Sequence, residues 1–182
     1  MEKNKLIILD RDGVININSN GYITSLQKFK LIVGSIDAIV ALSKLDYKIA
    51  ICTNQSAIAR GLLSVAELNK MHEYLCKLVN DSGGNIFAIE FCPHHPNNNC
   101  DCRKPNSLML ERIINRLHPV DLSSLYMVGD SYTDLLAVQK VGGIPILVKT
   151  GHGLHTISKY HLNDNLLIFD NLSKFADYLC YC

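Results

Sequence analysis

Four short apolar runs, each stopping at a cluster of reactive polar residues, set the strongest constraint on how this chain folds. Leu6-Ile7-Ile8-Leu9 ends at Asp10-Arg11-Asp12-Gly13, and the run from Lys48 to Cys52 ends at Thr53-Asn54-Gln55-Ser56. Ile86 to Phe91 leads into a loop of Cys, His, Pro and Asn that closes on Arg103-Lys104, and Leu125 to Val128 ends at Gly129-Asp130-Ser131. A continuous apolar run bounded by turn residues reads as a strand buried on both faces of a parallel sheet. Ligands of such sheets bind beyond the carboxyl ends of the strands. All four clusters are therefore expected on one edge.

The intervening segments have helical spacing. Ser35 is placed to cap a helix carrying Ile36, Ile39, Val40 and Leu42 on its apolar stripe. Ser64-Val65-Ala66-Glu67 has the spacing of a capping box, with Leu68, Met71, Leu75, Leu78 and Val79 following and Gly83-Gly84 as a stop. Further helices are expected from about Ser107 to Leu117, Thr133 to Val141 and Leu172 to Leu179, and further strands at Ile144 to Val148 and Leu166 to Phe169. This alternation predicts a three-layer, Rossmann-like α/β architecture, a mostly parallel sheet with helices on both faces. No repeat or linker interrupts the 182 residues, so residues 1–182 read as one domain, without an insertion long enough for a large cap domain.

Composition removes several alternatives. With 48% hydrophobic and 19% charged residues the chain reads as an ordinary globular protein. A net charge of +1 supplies no field for nucleic acid or an anionic membrane. No apolar run approaches the roughly 20 residues of a spanning helix, and the stretch before Asp10 is too short for a signal-peptide core. Cytoplasmic residence is expected, where the seven cysteines read as free thiols or metal ligands rather than disulfides.

Asp10 and Asp12, two apart at a buried strand end, repel each other unless a cation lies between them. A calcium loop fails on spacing, because the twelfth position counted from Asp10 is Gly21 rather than Glu. A hard ion such as Mg²⁺ resolves the repulsion, and one carboxylate can then attack phosphorus while the other exchanges a proton with the leaving group. Asp130, directly after a strand and a glycine, is the better second metal ligand, while Asp134 reads as an acid favoured at a helix N-terminus. Thr53-Asn54 offers a hydroxyl and turn amides for phosphate oxygens, although it is also ordinary turn chemistry.

Cys92, Cys100 and Cys102, with His94 and His95 in the same eleven residues, fit a closed Cys₃His zinc site. Arg103-Lys104 follows at once, so a metal clamp would fix where both cations point; Arg suits bidentate phosphate recognition and Lys supplies a point charge. His72, His118, His152, His155 and His161 show no partner spacing and read as surface or core residues.

Asp10-Arg-Asp12-Gly-Val-Ile, Thr53-Asn54, Lys104 and Gly129-Asp130 resemble the four motifs of the haloacid dehalogenase phosphatase superfamily. The Cys-Pro-His-His-Pro…Cys-Asp-Cys-Arg-Lys-Pro loop and Asn54-Gln-Ser-Ala-Ile-Ala-Arg60-Gly are similar to its heptose bisphosphate phosphatase branch, within the histidinol-phosphatase-like zinc-loop group. The likeness runs from about Leu6 to Gly151. It implies Asp10 as nucleophile and Asp12 as general acid/base, with Mg²⁺ on Asp10, the Asp12 carbonyl and Asp130. It implies Thr53 and Lys104 on the transferring phosphoryl group, Arg103 on the substrate, and Zn²⁺ on Cys92, His94, Cys100 and Cys102. The implied substrate is a small-molecule sugar bisphosphate losing its C7 phosphate on the way to activated heptose for surface polysaccharides, and the simplest expected state is a monomer. Ala57 and Ser131 depart from the usual Gly and Lys of the pattern.

Histidinol-phosphate phosphatase is the nearest alternative, and Ser56-Ala-Ile-Ala-Arg60-Gly favours the heptose branch over it. A non-catalytic zinc module would have no need of Asp10, Asp12, Lys104 and Asp130 together. A phosphotransferase or phosphonate-cleaving relative would need a cap. The anomer, α or β, is left open.

Overall fold

The computed structural model describes residues 3–18 and 21–181; the closing Cys182 lies outside them. Six strands form one sheet: β1 (Asn4–Leu9), β2 (Tyr47–Asn54), β3 (Ile86–Cys92), β4 (Val120–Gly129), β5 (Ile144–Val148) and β6 (Leu167–Phe169). Their order is β3-β2-β1-β4-β5-β6 and every pairing is parallel. The chain winds outward from β1 in one direction through β2 and β3, then returns to its other side with β4. β1 is therefore the switch point, where such sheets open a crevice.

Alternation along the apolar runs builds the layers. Ile7 and Leu9 face α1 (Ser35–Lys44), α2 (Val65–Asp81) and α6 (Leu172–Tyr181), in a core that includes Ile39, Leu42, Met71, Leu75 and Phe175. Leu6 and Ile8 face α3 (Leu108–Leu117) and α4 (Tyr132–Lys140), against Leu110, Ile113 and Val138. A strand buried on both faces has no polar side to show, so β1 reads as unbroken hydrophobicity. The three-layer expectation holds, without a large cap among the described residues.

Local signals mostly act where expected. Ser64 Oγ accepts from the Glu67 N–H at 3.1 Å, closing the N-terminus of α2. Three differences stand out. Gly34, not Ser35, takes the cap of α1, and the Ser35 hydroxyl is buried in the first turn. β4 begins at Val120, which pairs with Asn4 of β1; the polar stretch Asp121–Ser124 falls in a register irregularity before pairing resumes at Leu125 opposite Leu6. A short helix, α5 (Gly153–Lys159), follows β5, where the sequence shows too little periodicity to reveal it.

Candidate active site

The strand ends converge as the sequence requires. A cleft of about 300 Å³ opens beyond β1, β2 and β4, lined at its base by Asp10, Asp12, Thr53, Asn54, Lys104 and Asp130. Its rim is formed by Asn18, Gly21, Tyr22 and Ile23 from the loop after β1, with Arg103 from the cysteine loop, Thr133 from the first turn of α4 and His152 from the turn before α5.

Lys104 organises the base. Its Nζ lies 3.0 Å from Asp10 Oδ1 and 2.7 Å from Asp134 Oδ1, and donates to the Cys52 carbonyl at 2.6 Å. Burial works against its charge, but Asp10 and Asp134 raise its proton affinity well above the ordinary lysine range. Asp10 is further fixed by the Arg11 N–H on Oδ1, at 2.7 Å.

Asp134 is the residue that the sequence reading missed. It is fully buried and completes a cluster with Asp10 and Asp130, one oxygen from each lying within 4.8 Å of the others. Its Oδ2 accepts from the Ser131 N–H at 3.1 Å and the Ser131 hydroxyl at 2.8 Å, while Oδ1 faces Lys104. The Ser-x-x-Asp spacing after β4 was the available signal. Three carboxylates against one ammonium leave an excess of negative charge, and burial pushes Asp10 up to about 8 and Asp130 to about 7, with Asp134 adding to both shifts. A divalent, oxygen-preferring cation fits this deficit, and Asp10 and Asp130 could hold it.

Asp130 is seated by the β5–α5 turn. Its Oδ2 accepts from the His152 N–H at 2.8 Å, and its carbonyl accepts from the Thr156 hydroxyl at 2.8 Å. Gly13 and Gly151, both at positive φ (88° and 58°), close the wall behind it; a side-chain carbon at either would collide with the Asp130 carboxylate. His152, unassigned from sequence, thus belongs to the cleft.

Asp12 has a different environment. Arg11, fully buried, donates to its carboxylate from Nη2 at 3.0 Å and Nε at 3.2 Å; Asn16 donates at 2.9 Å and Gln55 at 2.8 Å. Burial alone would raise the Asp12 carboxyl, but Arg11 and these hydrogen bonds outweigh it and hold it below the usual range. His72 Nε2 lies 3.4 Å from Arg11 Nη1, and burial followed by Arg11 lowers the imidazole to about 4, so at neutral pH it is uncharged beside the guanidinium. A buried arginine and its histidine leave no sequence spacing to read.

Asn54 reaches the cleft, but its carboxamide is engaged by the main chain of Lys104, accepting its N–H at 3.1 Å and donating to its carbonyl at 3.2 Å. Arg103 Nη1 is buried without a hydrogen-bond partner, a donor suited to an incoming phosphate oxygen.

The cysteine loop begins at the last residue of β3. Cys92, Cys100 and Cys102 Sγ atoms are 3.1–3.6 Å apart, and His94 Nδ1 lies 3.1 Å from Cys102 and 3.6 Å from Cys92. Sulfurs about 2.3 Å from a tetrahedral zinc would be about 3.8 Å apart, so the donor set and its spacing fit that ion. His95 turns away and caps a short turn through Asn97 N–H. Asn106 ties the loop back, donating to the Cys100 carbonyl at 3.0 Å, while its N–H donates to the Arg103 carbonyl at 2.8 Å.

Sheet order and site chemistry together define a haloacid dehalogenase-like hydrolase, and a HAD-hydrolase-like family model matches residues 101–175. The chain is 48% identical over 172 residues to the D-glycero-beta-D-manno-heptose-1,7-bisphosphate 7-phosphatase of Pseudomonas putida, covering 94% of this chain and 97% of that protein. It is 43% identical over 177 residues to the Neisseria meningitidis protein of the same name, covering 96% and 94%. The crystal structure of the B. bronchiseptica D,D-heptose 1,7-bisphosphate phosphatase, complexed with magnesium and phosphate, superposes with a TM-score of 0.92 at 39% identity, over 97% of this chain and 98% of that one. The chain belongs to this family of heptose bisphosphate phosphatases.

Proposed function

We propose that this chain hydrolyses the C7 phosphate of D-glycero-β-D-manno-heptose 1,7-bisphosphate, in the synthesis of nucleotide-activated heptose. The observation that carries the reading is Asp10, buried at the switch point between Lys104 and Asp130 and facing the same cleft as Asp12. The β anomer is favoured by the names of the Pseudomonas putida and Neisseria meningitidis relatives.

Asp10 attacks phosphorus, the bond from phosphorus to the C7 oxygen breaks, and an aspartyl-phosphate forms. Asp12 gives the leaving oxygen its proton in this half, then takes a proton from the water that hydrolyses the intermediate. Its two tasks call for two side-chain positions. Paired with Arg11 it is ionised, which is the accepting form; as donor it must turn, protonated, toward the leaving oxygen. Thr53 and Lys104 hold the phosphoryl oxygens, and Arg103 offers its unpartnered Nη1 to the substrate. Asn54 acts by setting Lys104 rather than through its own carboxamide.

Magnesium, held by Asp10, Asp130 and the Asp12 carbonyl, would offset the charge on the phosphoryl group and the carboxylates. Asp134, with both oxygens engaged, supports Lys104 from behind. Zinc on Cys92, His94, Cys100 and Cys102 would have a structural part, since four protein ligands leave no open position. The need for reduced thiolates supports a cytoplasmic site, and among the described residues no helix is long and apolar enough to cross a membrane. We read residues 1–182 as one domain, acting as a monomer.

Phosphate release with Mg²⁺ from the two anomers, beside histidinol phosphate, tests the reading. Fast release from the β anomer is expected, and preference for histidinol phosphate would overturn the substrate. Asp10→Asn should abolish turnover and leave the fold intact; retained turnover would remove Asp10 from its role.

A further inference from the structure

Gln55 joins the two halves of the site. It is 4% exposed, and its Nε2 donates both to Asp12 Oδ2 at 2.8 Å and to Thr53 Oγ1 at 2.9 Å. Its main-chain N–H donates to the Cys92 carbonyl at 2.7 Å, so the residue is fixed from behind by the start of the cysteine loop. Arg11 and Asn16 also hold Asp12, but both belong to its own loop, one and four residues away. Neither relates the carboxylate to the phosphoryl side of the cleft. Gln55 comes from the end of β2 and does so through Thr53. The amide orientation follows from chemistry, since a carbonyl oxygen turned toward the Asp12 carboxylate would be repelled.

We propose that Gln55 is a positioning residue for the second half of the reaction, holding the Asp12 carboxylate where it takes a proton from the water attacking the aspartyl-phosphate. This rests on the role of Asp12 given above. In that step the water oxygen bonds to phosphorus and the phosphorus–oxygen bond to Asp10 breaks, its electron pair returning to the Asp10 carboxylate. The water proton passes to Asp12. Donors from Arg11, Asn16 and Gln55 all converge on the Asp12 oxygens. A protonated carboxyl has an O–H to place and could not accept them all. The arrangement therefore serves proton acceptance, and a defect at Gln55 shows after the phosphoryl group has reached Asp10, not before.

The experiment uses the full chain with Mg²⁺ and p-nitrophenyl phosphate, whose departing phenolate needs no proton, so that the first half proceeds without Asp12. Gln55→Met keeps the side-chain length and removes the donors. It should lower kcat about 10- to 100-fold, up to the lower end of what a general base contributes, and leave kcat/KM within about threefold, because that ratio reports only the steps through phenolate departure. Acid quenching should trap phosphorylated enzyme approaching stoichiometric amounts. Gln55→Glu, close in shape, should behave alike, and thermal melting of both variants checks their folding. A parallel fall in kcat and kcat/KM without trapped phosphoenzyme would make Gln55 merely structural and overturn the proposal. Asp12→Asn is run beside them. If it accumulates phosphoenzyme and the Gln55 variants do not, the proposal alone falls. If none accumulates it, the role of Asp12 falls and the proposal with it.

Discussion

Asn54 and Lys104 hold each other through two hydrogen bonds across fifty residues of chain, Lys104 N–H to Asn54 Oδ1 at 3.1 Å and Asn54 Nδ2 to the Lys104 carbonyl at 3.2 Å. The end of β2 is thereby fastened to the end of the cysteine loop, beside the ammonium that meets Asp10. Asn54→Ala loses both bonds and leaves main-chain groups unpaired, at a cost of about 1–3 kcal/mol. We expect a lower melting temperature and a kcat reduced about tenfold or more, as the cation drifts from its place. Steady-state kinetics and calorimetry check this, and unchanged kcat would detach the clamp from catalysis.

Lys104 itself is 2% exposed between Asp10 and Asp134. Lys104→Met strands those two carboxylates, and losing one partner of a buried ion pair costs about 3–5 kcal/mol. The variant should be inactive, and Mg²⁺ should raise its melting temperature by more than it raises that of the wild type, because the ion then neutralises charge that nothing else does. Melting with and without Mg²⁺ reads the difference.

The pH dependence of the magnesium-free protein has a definite sign. Asp10 and Asp130 bind protons more tightly folded than unfolded, from an ordinary 3.8 up to about 8 and about 7. Stability from these groups is fully present below about pH 4 and declines as pH rises toward about pH 8. Mg²⁺ should flatten that decline and release protons on binding. Thermal denaturation after dialysis into magnesium-free buffer measures it; a strong chelator would also strip the cysteine loop. A flat profile without the metal would contradict the burial of these acids.

Cys100→Ser removes one corner of the Cys₃His cluster. Bound zinc should fall from stoichiometric to substoichiometric, measured by atomic absorption, and the melting temperature should drop. Because Arg103 follows the cluster by one residue past Cys102, KM should rise more than the fold is damaged. Full zinc retention with unchanged melting would count against the cluster as a metal centre.

The sequence made much of this visible for a physical reason. Leu6 to Leu9 is buried on both sides, so nothing interrupts its hydrophobicity until Asp10, and burial and reactivity change at the same residue. Ser64 caps α2 through a contact three residues away, which spacing alone can encode. The cysteine loop is likewise local. What escaped depends on contacts between distant segments. Asp134 looks like any acid in a first helical turn until β4 brings it against Lys104, thirty residues earlier in the chain. Arg11 gives no sign of complete burial, because its partners combine a neighbour, Asp12, with His72 on a separate helix. α5 is short and only its Thr156 and Gly153 are buried, too few positions to produce a period.

The wall formed by Gly13, Gly151 and Asp130 admits no added atom, whereas Asn18, Tyr22, Thr133 and His152 line the rim of the cleft with their side chains. Chemistry and substrate choice thus fall to different residues, even where these are neighbours such as Gly151 and His152. Directed evolution toward new phosphate esters has open ground at the rim, where a changed side chain leaves Asp10 undisturbed. Libraries that touch either glycine should return only inactive clones.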